Sequence, residues 1–379
     1  MTTHRIIIDD ALPLASELFS HLGDIQLIAG RDIDAQTVQD ADALIVRSRT
    51  QVNETLLANS RVKFVGSSVV GLDHIDQAWL AQQGIHFYSA QGCNANSVSE
   101  YIITLLVEQA CLRQQDFKQL TIGVVGVGHV GQKVVAKAQA LGFKLLLNDP
   151  PRQDQGDACP AGDWQDLDSL LDQADIITLH TPLSFEGAYP SANLIHANRL
   201  NRLHANQIII NAARGGIVDE QAWCQSAMHT KLVDCWQDEP HINATLFKQA
   251  SLATPHIAGH SYDAKLTGGL WVYQQLCKFW QVSPQTHWQQ ACPAQPAALQ
   301  LNSHLDNWPA ILLDLLHQAY NPHYDHQRLH ADTMEQVWRQ FEIQRRDYPM
   351  RREWPMHTLA KGAQKEWNQA LQSLGFRLY

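Results

Sequence analysis

Short apolar runs set between longer mixed segments mark the first hundred residues. Arg5-Ile-Ile-Ile8, Ala43-Leu-Ile-Val46 and Lys63-Phe-Val65 read as buried strands. The stretches Leu14 to Leu22 and Asn53 to Leu57 between them carry helix-like apolar spacing. Strands alternating with helices predict βαβ units on a parallel sheet. The pattern restarts more strongly after a helix predicted over Ser97 to Cys111. Thr121 to Val125 reads as a strand, followed by a glycine turn, a helix over Val130 to Leu141 and a strand over Lys144 to Leu147. Further strands are predicted over Ile176 to Leu179, Gln207 to Ile210 and Lys231 to Cys235, and Val272 to Phe279 reads as a helix leading back toward the first domain. Composition shifts to Gln, Pro and Ala over Ser283 to Pro296, as in a linker. The tail from Leu299 is rich in Trp, His and Arg and has amphipathic segments of its own, so it reads as a third, smaller module.

With 379 residues the chain is long enough for two or three cored domains. Its formal net charge of -10 and lack of a long basic run argue against nucleic acid or an anionic membrane as the main partner. The apolar run Ile6 to Ile8 is too short for a signal-peptide core or a membrane span. Seven scattered cysteines without a C-x-x-C pair point to free thiols in a reducing cytoplasm.

The glycine turn has the form Gly126-Val-Gly128-His129-Val130-Gly131, directly between a predicted strand and helix. Glycines there let the backbone approach a pyrophosphate, which sits on the exposed amides of the helix N-terminus. Asp149 ends the next predicted strand, at the spacing where a carboxylate accepts ribose hydroxyls and repels a 2′-phosphate. That favours NAD over NADP, although Arg152 nearby offers the opposite charge. Three later strings carry the chemistry: Asn211-Ala-Ala-Arg214-Gly-Gly, Asp234-Cys-Trp-Gln-Asp-Glu239-Pro and Thr254-Pro-His256-Ile-Ala-Gly259. A hydride leaving an alcohol carbon needs a base for the hydroxyl proton, which suits His256. A carboxylate such as Glu239 fixes the imidazole tautomer, and an Arg such as Arg214 grips a substrate carboxylate. Singly, each is as well explained by a turn, a helix start or a structural histidine; together and in this order they are far more specific.

These strings, with Gly71-Leu-Asp-His-Ile-Asp76 and His180-Thr181-Pro-Leu, resemble the D-isomer-specific 2-hydroxyacid dehydrogenases. The resemblance runs to about residue 285. It implies an α/β protein of two Rossmann-like, doubly wound parallel-sheet domains, with the active site between them, plus a small α+β C-terminal dimerisation domain. Residues 1–96 with 262–285 would form the substrate-binding lid, 97–261 the NAD-binding domain and 286–379 the dimerisation domain. It further implies that Arg214 orients substrate, Glu239 supports His256, and His256 is the acid/base. Gly126, Gly128, His129, Val130, Gly131, Asp149, Thr181, Asp234 and Gly259 would contact NAD. The loop Val46-Arg47-Ser48-Arg49-Thr50 and the tail resemble members acting on a phosphorylated 2-hydroxy acid, 4-phospho-D-erythronate, in pyridoxal phosphate synthesis. Ser48 would then bond the substrate, and Arg47 or Arg49 its phosphate. Val69 and His260 stand at substrate-side positions where the family has Thr and Tyr. Phosphoglycerate- or glyoxylate-type reductases, and an NAD-sensing protein without turnover, remain alternatives.

Histidines 317, 323, 326 and 330 crowd the tail, but no Cys or carboxylate pattern completes a metal-ligand set, so no metal is expected. Trp308, Ile311, Leu312, Leu315, Leu316, Val337, Trp338, Phe341 and Trp354 are more apolar surface than an appendage should expose. A homodimer covering them is therefore expected, with packing back onto the same chain as the alternative.

Overall fold

The computed structural model describes residues 4–302, 304–360 and 365–378. The chain forms two compact units, one running to Asn94 and including Ser261–Gln295, the other comprising Ala95–His260 and everything from Pro296 onward.

In the first unit, strands β1 (His4–Asp9), β2 (Gly23–Ile28), β3 (Ala43–Val46), β4 (Phe64–Ser67) and β5 (His86–Ser89) pair in the order β2-β1-β3-β4-β5. All pairs are parallel. Side chains of a strand alternate faces, and both faces are covered here. Ile6, Ile8 and Ile45 pack with Leu18, Phe19, Val272 and Tyr273; Ile7, Leu44 and Val46 pack with Leu56, Leu57 and Leu80. That is why these strands read as unbroken apolar runs. Asn53, Asp76 and Ser261 each accept a backbone amide in the first turn of the helix they start. The helix expected near Val272 spans Tyr262–Trp280.

In the second unit, β6 (Thr121–Val125), β7 (Lys144–Asn148), β8 (Ile176–Leu179), β9 (Ile208–Asn211), β10 (Thr230–Val233) and β11 (Leu252–Ala253) pair in parallel in the order β11-β10-β9-β8-β6-β7. The strand order reverses between β6 and β8. In open α/β sheets such a switch point opens a crevice at the carboxyl ends of the strands.

The tail lies within the second unit. Residues 296–379 contain helices Trp308–Ala319, Pro322–Leu329, Met334–Arg346 and Lys365–Leu374 and a two-stranded parallel sheet, β12 (Thr358–Leu359) with β13 (Arg377–Leu378). They share the core of the second unit. Leu312, Leu315, Leu316 and Trp354 are buried with Tyr101, Leu105 and Leu106 of the helix Ala95–Leu112. Val337 and Phe341 are buried with Leu246 and Phe247. The tail thus covers its apolar residues on its own chain, and the surface that motivated a dimer is mostly accounted for. The boundaries between the two units fall after Asn94, His260 and Gln295.

Candidate active site

Gly126 leaves β6 with φ +87°, and a Cβ there would lie 2.9 Å from the backbone of His180 and Thr181 at the end of β8. A Cβ on Gly131 would fall 2.1 Å from the Gly126 oxygen, so this glycine lets the helix His129–Leu141 start against the turn. Gly128 has nothing within 4 Å of its Cβ position; it and His129 are exposed and Val130 is half-buried. The first amides of a 13-residue helix therefore face open space, where a phosphate is favoured. The Thr181 hydroxyl is buried beside this turn with no hydrogen-bond partner among the described residues. That is the kind of orphaned group a bound cofactor satisfies.

Asp149 caps the short helix Pro150–Asp154. Its Oδ1 accepts the Arg152 amide at 3.1 Å and its Oδ2 the Val127 amide at 2.7 Å. The carboxylate thus braces the glycine turn itself, and its remaining lone pairs suit ribose hydroxyls. Arg152, the competing NADP feature, pairs with Asp157 at 2.7 Å and donates to the Val127 oxygen at 3.1 Å.

The next strand ends carry Arg214, Glu239 and His256. Asn211, the last residue of β9, donates to the Arg214 oxygen at 2.9 Å and to the Cys235 oxygen at 3.3 Å. It stitches the Arg214 loop to the loop after β10. A Cβ on Gly215 would fall 2.0 Å from the Trp236 oxygen, so only glycine lets these loops touch. Arg214 donates to the Ala213 oxygen at 2.7 Å.

Asp234, expected at the cofactor, is 1% exposed. It accepts the Thr254 hydroxyl at 2.6 Å and the amides of Ile257 and Ala258 at 2.8 and 3.0 Å. Its oxygen atom in the backbone accepts the His256 amide at 2.8 Å. Burial pushes its carboxyl up, while His256 and these donors pull the other way. Asp234 folds the loop that presents His256, which sits in the left-handed region at φ +53° and whose ring is held from the other side. His256 Nδ1 lies 3.0 and 2.8 Å from the two Glu239 oxygens. Gly259 and His260, both half-buried, end the same loop.

Glu239 also accepts the Trp236 amide at 2.9 Å and an Arg345 guanidinium N–H at 2.8 Å. Burial pushes its carboxyl up, but His256, Arg345 and the Trp236 amide outweigh that and hold it below the usual carboxylate range. Neither Arg345 nor the stitching role of Asn211 was found from sequence. Arg345 lies 106 residues from Glu239, and its only signal is its place at the end of an arginine-rich amphipathic helix.

Among the described residues, one group of three metal-capable donors lies within 4.8 Å, Cys235, Glu239 and His256. Burial first, then Asp234 and Glu239, push the Cys235 thiol well up, which keeps it protonated and a poor ligand. The tail histidines have other partners: His323 pairs with Glu108 at 2.9 Å, and His326 Nδ1 accepts the Ala253 amide at 3.0 Å.

In the first unit, Arg47 and the exposed Ser48 follow β3, and Val69 follows the neighbouring β4. The order reverses here between β1 and β3, so Arg47 and Ser48 occupy that unit's own switch point. Arg47 donates to the Ala11 oxygen at 3.3 Å. The Val69 oxygen accepts the Ser89 hydroxyl at 3.1 Å.

The profile of the D-isomer-specific 2-hydroxyacid dehydrogenase NAD-binding domain matches residues 92–258, and that of a domain of unknown function (DUF3410) matches residues 293–375. The chain is 47% identical to an erythronate-4-phosphate dehydrogenase of Hydrogenovibrio crunogenus over the whole of both proteins. It is 42% identical to one of Ruthia magnifica, over 92% of this chain and 96% of the relative, and 39% identical to one of Klebsiella pneumoniae, over 92% of each. By structure it resembles the TT0316 protein of Thermus thermophilus (TM-score 0.64, 22% identity, 74% of this chain and 98% of that one). It also resembles an NAD-bound 3-phosphoglycerate dehydrogenase of Entamoeba histolytica (TM-score 0.61, 22% identity, 74% and 96%). At these identities the solved structures speak for the fold.

Proposed function

The chain belongs to the D-isomer-specific 2-hydroxyacid dehydrogenase family, and we propose that it oxidises 4-phospho-D-erythronate at C2 to 2-oxo-3-hydroxy-4-phosphobutanoate, in pyridoxal 5′-phosphate synthesis. The chain is an NAD-dependent dehydrogenase. The observation that carries the reading is the His256–Glu239 pair, two bonds of 3.0 and 2.8 Å at one ring nitrogen, in a chain matched end to end by a relative of that name.

Bound at the Gly126–Gly131 turn, NAD supplies the hydride acceptor. The chain's own residues do the rest. Glu239 occupies Nδ1 of His256, which leaves Nε2 to take the C2 hydroxyl proton. The Glu239 charge stabilises the imidazolium that forms. Arg214 holds the substrate carboxylate and polarises the developing carbonyl. Gly126, Gly128, His129, Val130 and Gly131 receive the pyrophosphate, Asp149 the ribose, and Thr181, Asp234 and Gly259 complete the cofactor contacts. Ser48, Val69 and His260 contact substrate, and Arg47 meets its phosphate.

The same reading places the enzyme in the cytoplasm, supported by seven free thiols; among the described residues no helix is long and apolar enough to cross a membrane. It also includes a homodimer, for which the exposed Tyr324 and Met350 of the tail are the contact candidates.

A panel of 2-hydroxy acids tests the substrate, with reduced nicotinamide as the readout. We expect 4-phospho-D-erythronate to exceed D-erythronate, which lacks the phosphate that Arg47 meets, and 3-phosphoglycerate, whose phosphate sits one carbon nearer C2, by at least about a hundredfold in kcat/KM. Equal or faster turnover of 3-phosphoglycerate overturns the substrate. Absence of turnover across the panel overturns the enzyme.

A further inference from the structure

The tail reaches the catalytic loops at three points within seven residues. Arg345, in the last turn of the helix Met334–Arg346, donates to Glu239 Oε2 at 2.8 Å. The Tyr348 ring meets the His260 ring edge-on, with centroids 5.5 Å apart. Arg351, 5% exposed, donates to the Ala258 oxygen at 2.9 Å and to the Ser97 oxygen at 2.7 Å, and its guanidinium lies 3.9 Å over the Tyr320 ring. Glu239, Ala258 and His260 flank His256 on both sides in sequence.

We propose that the tail is part of the catalytic apparatus and that Arg345 is a positioning residue, fixing the Glu239 carboxylate so that it holds His256 as an acid/base in the hydride-transfer reaction. This rests on the role given to His256 above. Arg345 and His256 approach the same carboxylate oxygen, each at 2.8 Å. A carboxylate shared in this way is fixed in plane and rotation, and so is the imidazole it holds. The Arg345 guanidinium also lies 5.7 Å from the centroid of the Phe341 ring, and Phe341 is buried.

Sharing has an electrostatic consequence. The guanidinium draws charge from Glu239 and repels an imidazolium at His256, so its loss favours the protonated imidazole. The other charged or titratable groups facing this pair are Glu220, Asp238, Asp234 and the Cys235 thiol, and Arg214 acts on that thiol as well. None of the anions is removed with Arg345, so the sign stands. The carboxylate is also freer to rotate, which lowers the fraction of His256 in its working orientation.

The test compares Arg345→Gln, which keeps length and a donor but not charge, with Arg345→Lys, in the full chain. For Arg345→Gln we expect kcat/KM to fall by about tenfold or more with NAD affinity unchanged. The acidic limb of its pH profile should move upward by roughly half a unit or more. Arg345→Lys should restore most of both. In a Glu239→Gln background, Arg345→Gln should add little, because residues acting as a unit are not additive. The His256 ring, followed by ¹⁵N-histidine NMR with His256→Asn as the assignment, should titrate at higher pH in Arg345→Gln. That readout needs no substrate, so a wrong substrate assignment leaves it standing. An unmoved ring titration, a superimposable pH profile, or a full additive loss in the Glu239→Gln background overturns the proposal. So does an activity loss that Arg345→Lys repeats in step with lost thermal stability.

Discussion

Two carboxylates close to the acid/base pair end with opposite proton affinities. Glu239 collects His256, Arg345 and an amide, and is held below the usual carboxylate range despite burial. Glu220 has one amide, from Gln237 at 2.7 Å, and faces Asp238 and Glu239; burial and these anions push it up to about 7. Environment alone separates two identical groups. Because the folded-state value for Glu220 lies above the ordinary 4.5, the fold binds this proton more tightly than the unfolded chain does. Its contribution to stability is fully present below about 4.5 and is lost as pH rises through about 7. Glu220→Gln keeps an acceptor for the Gln237 amide and removes the titration. Thermal unfolding should show parent and variant alike near pH 4.5 and the variant more stable above pH 7, by about 3 kcal/mol. A stability difference that does not change across that window would show that Glu220 is not the titrating group.

At the scale of elements, the sequence was legible where an element is covered on both sides. β1, β3, β4, β6, β8 and β9 are mainly apolar and largely buried, and β7 and β10, which carry Lys144 and Lys231, still show the apolar runs Leu145–Leu147 and Leu232–Val233; each was readable from that pattern. The strands missed are β2, β5 and β11, all at edges of the two large sheets, and the two-residue β12 and β13 of the tail. β2 reads Gly-Asp-Ile-Gln-Leu-Ile and is largely exposed or half-buried, so its polar positions broke the run. β11 is only two residues long. The glycine turn and the pairing of His256 with Glu239 were legible because these strings lie local to strand ends. Arg345 was not, because its partner is set by tertiary packing of the tail. Asp149 shows the middle case. Its spacing marked a ribose ligand, but its bond to the Val127 amide at 2.7 Å ties the end of β7 to the turn after β6. Asp149→Ser should therefore do two things. It should relax discrimination against NADP by removing a repelling charge, and weaken NAD itself by about tenfold through loss of the brace. Titration of both cofactors decides this. Unchanged NAD affinity would rule out both the brace and the ribose contact, and NADP binding as tight as NAD in the parent would remove its discriminating role.

For the whole molecule, the question is what the last 84 residues of the second unit are for. Read from sequence, their apolar side chains demanded a partner subunit. In the fold they are met within the chain: Trp354 is 1% exposed, stacks on Phe376 at 5.3 Å, and its amide donates to Glu100 at 2.8 Å. Glu100, pushed up to about 8 by burial and by Glu353, lies in the same polar cluster as Lys137, which donates to Asn96 at 2.6 Å and Ser99 at 2.8 Å. Removing the tail would open this cluster to water, together with the face of the helix Ala95–Leu112 that packs on Leu312 and Leu315. At roughly 25 cal/mol per Å² of apolar surface, losing several fully buried large side chains costs more than the net stability of a typical domain. A chain ending at Gln295 should therefore be insoluble or molten, with exposed apolar surface that binds a hydrophobic dye, rather than a well-folded monomer. Sedimentation of the full chain tests the separate matter of assembly, where twice the chain mass of 42.6 kDa is expected. If the truncated chain stays soluble, cooperative in unfolding and monomeric while the full chain is a dimer, the tail is an assembly module. If both chains fold but only the truncated one has lost the upward reach of Arg345 to Glu239, hydride transfer should fall while NAD binding persists. The outcome expected from the burial of Leu312, Leu315, Leu316 and Trp354 is neither of these, because the tail's first role is to complete the core on which the catalytic loops are built.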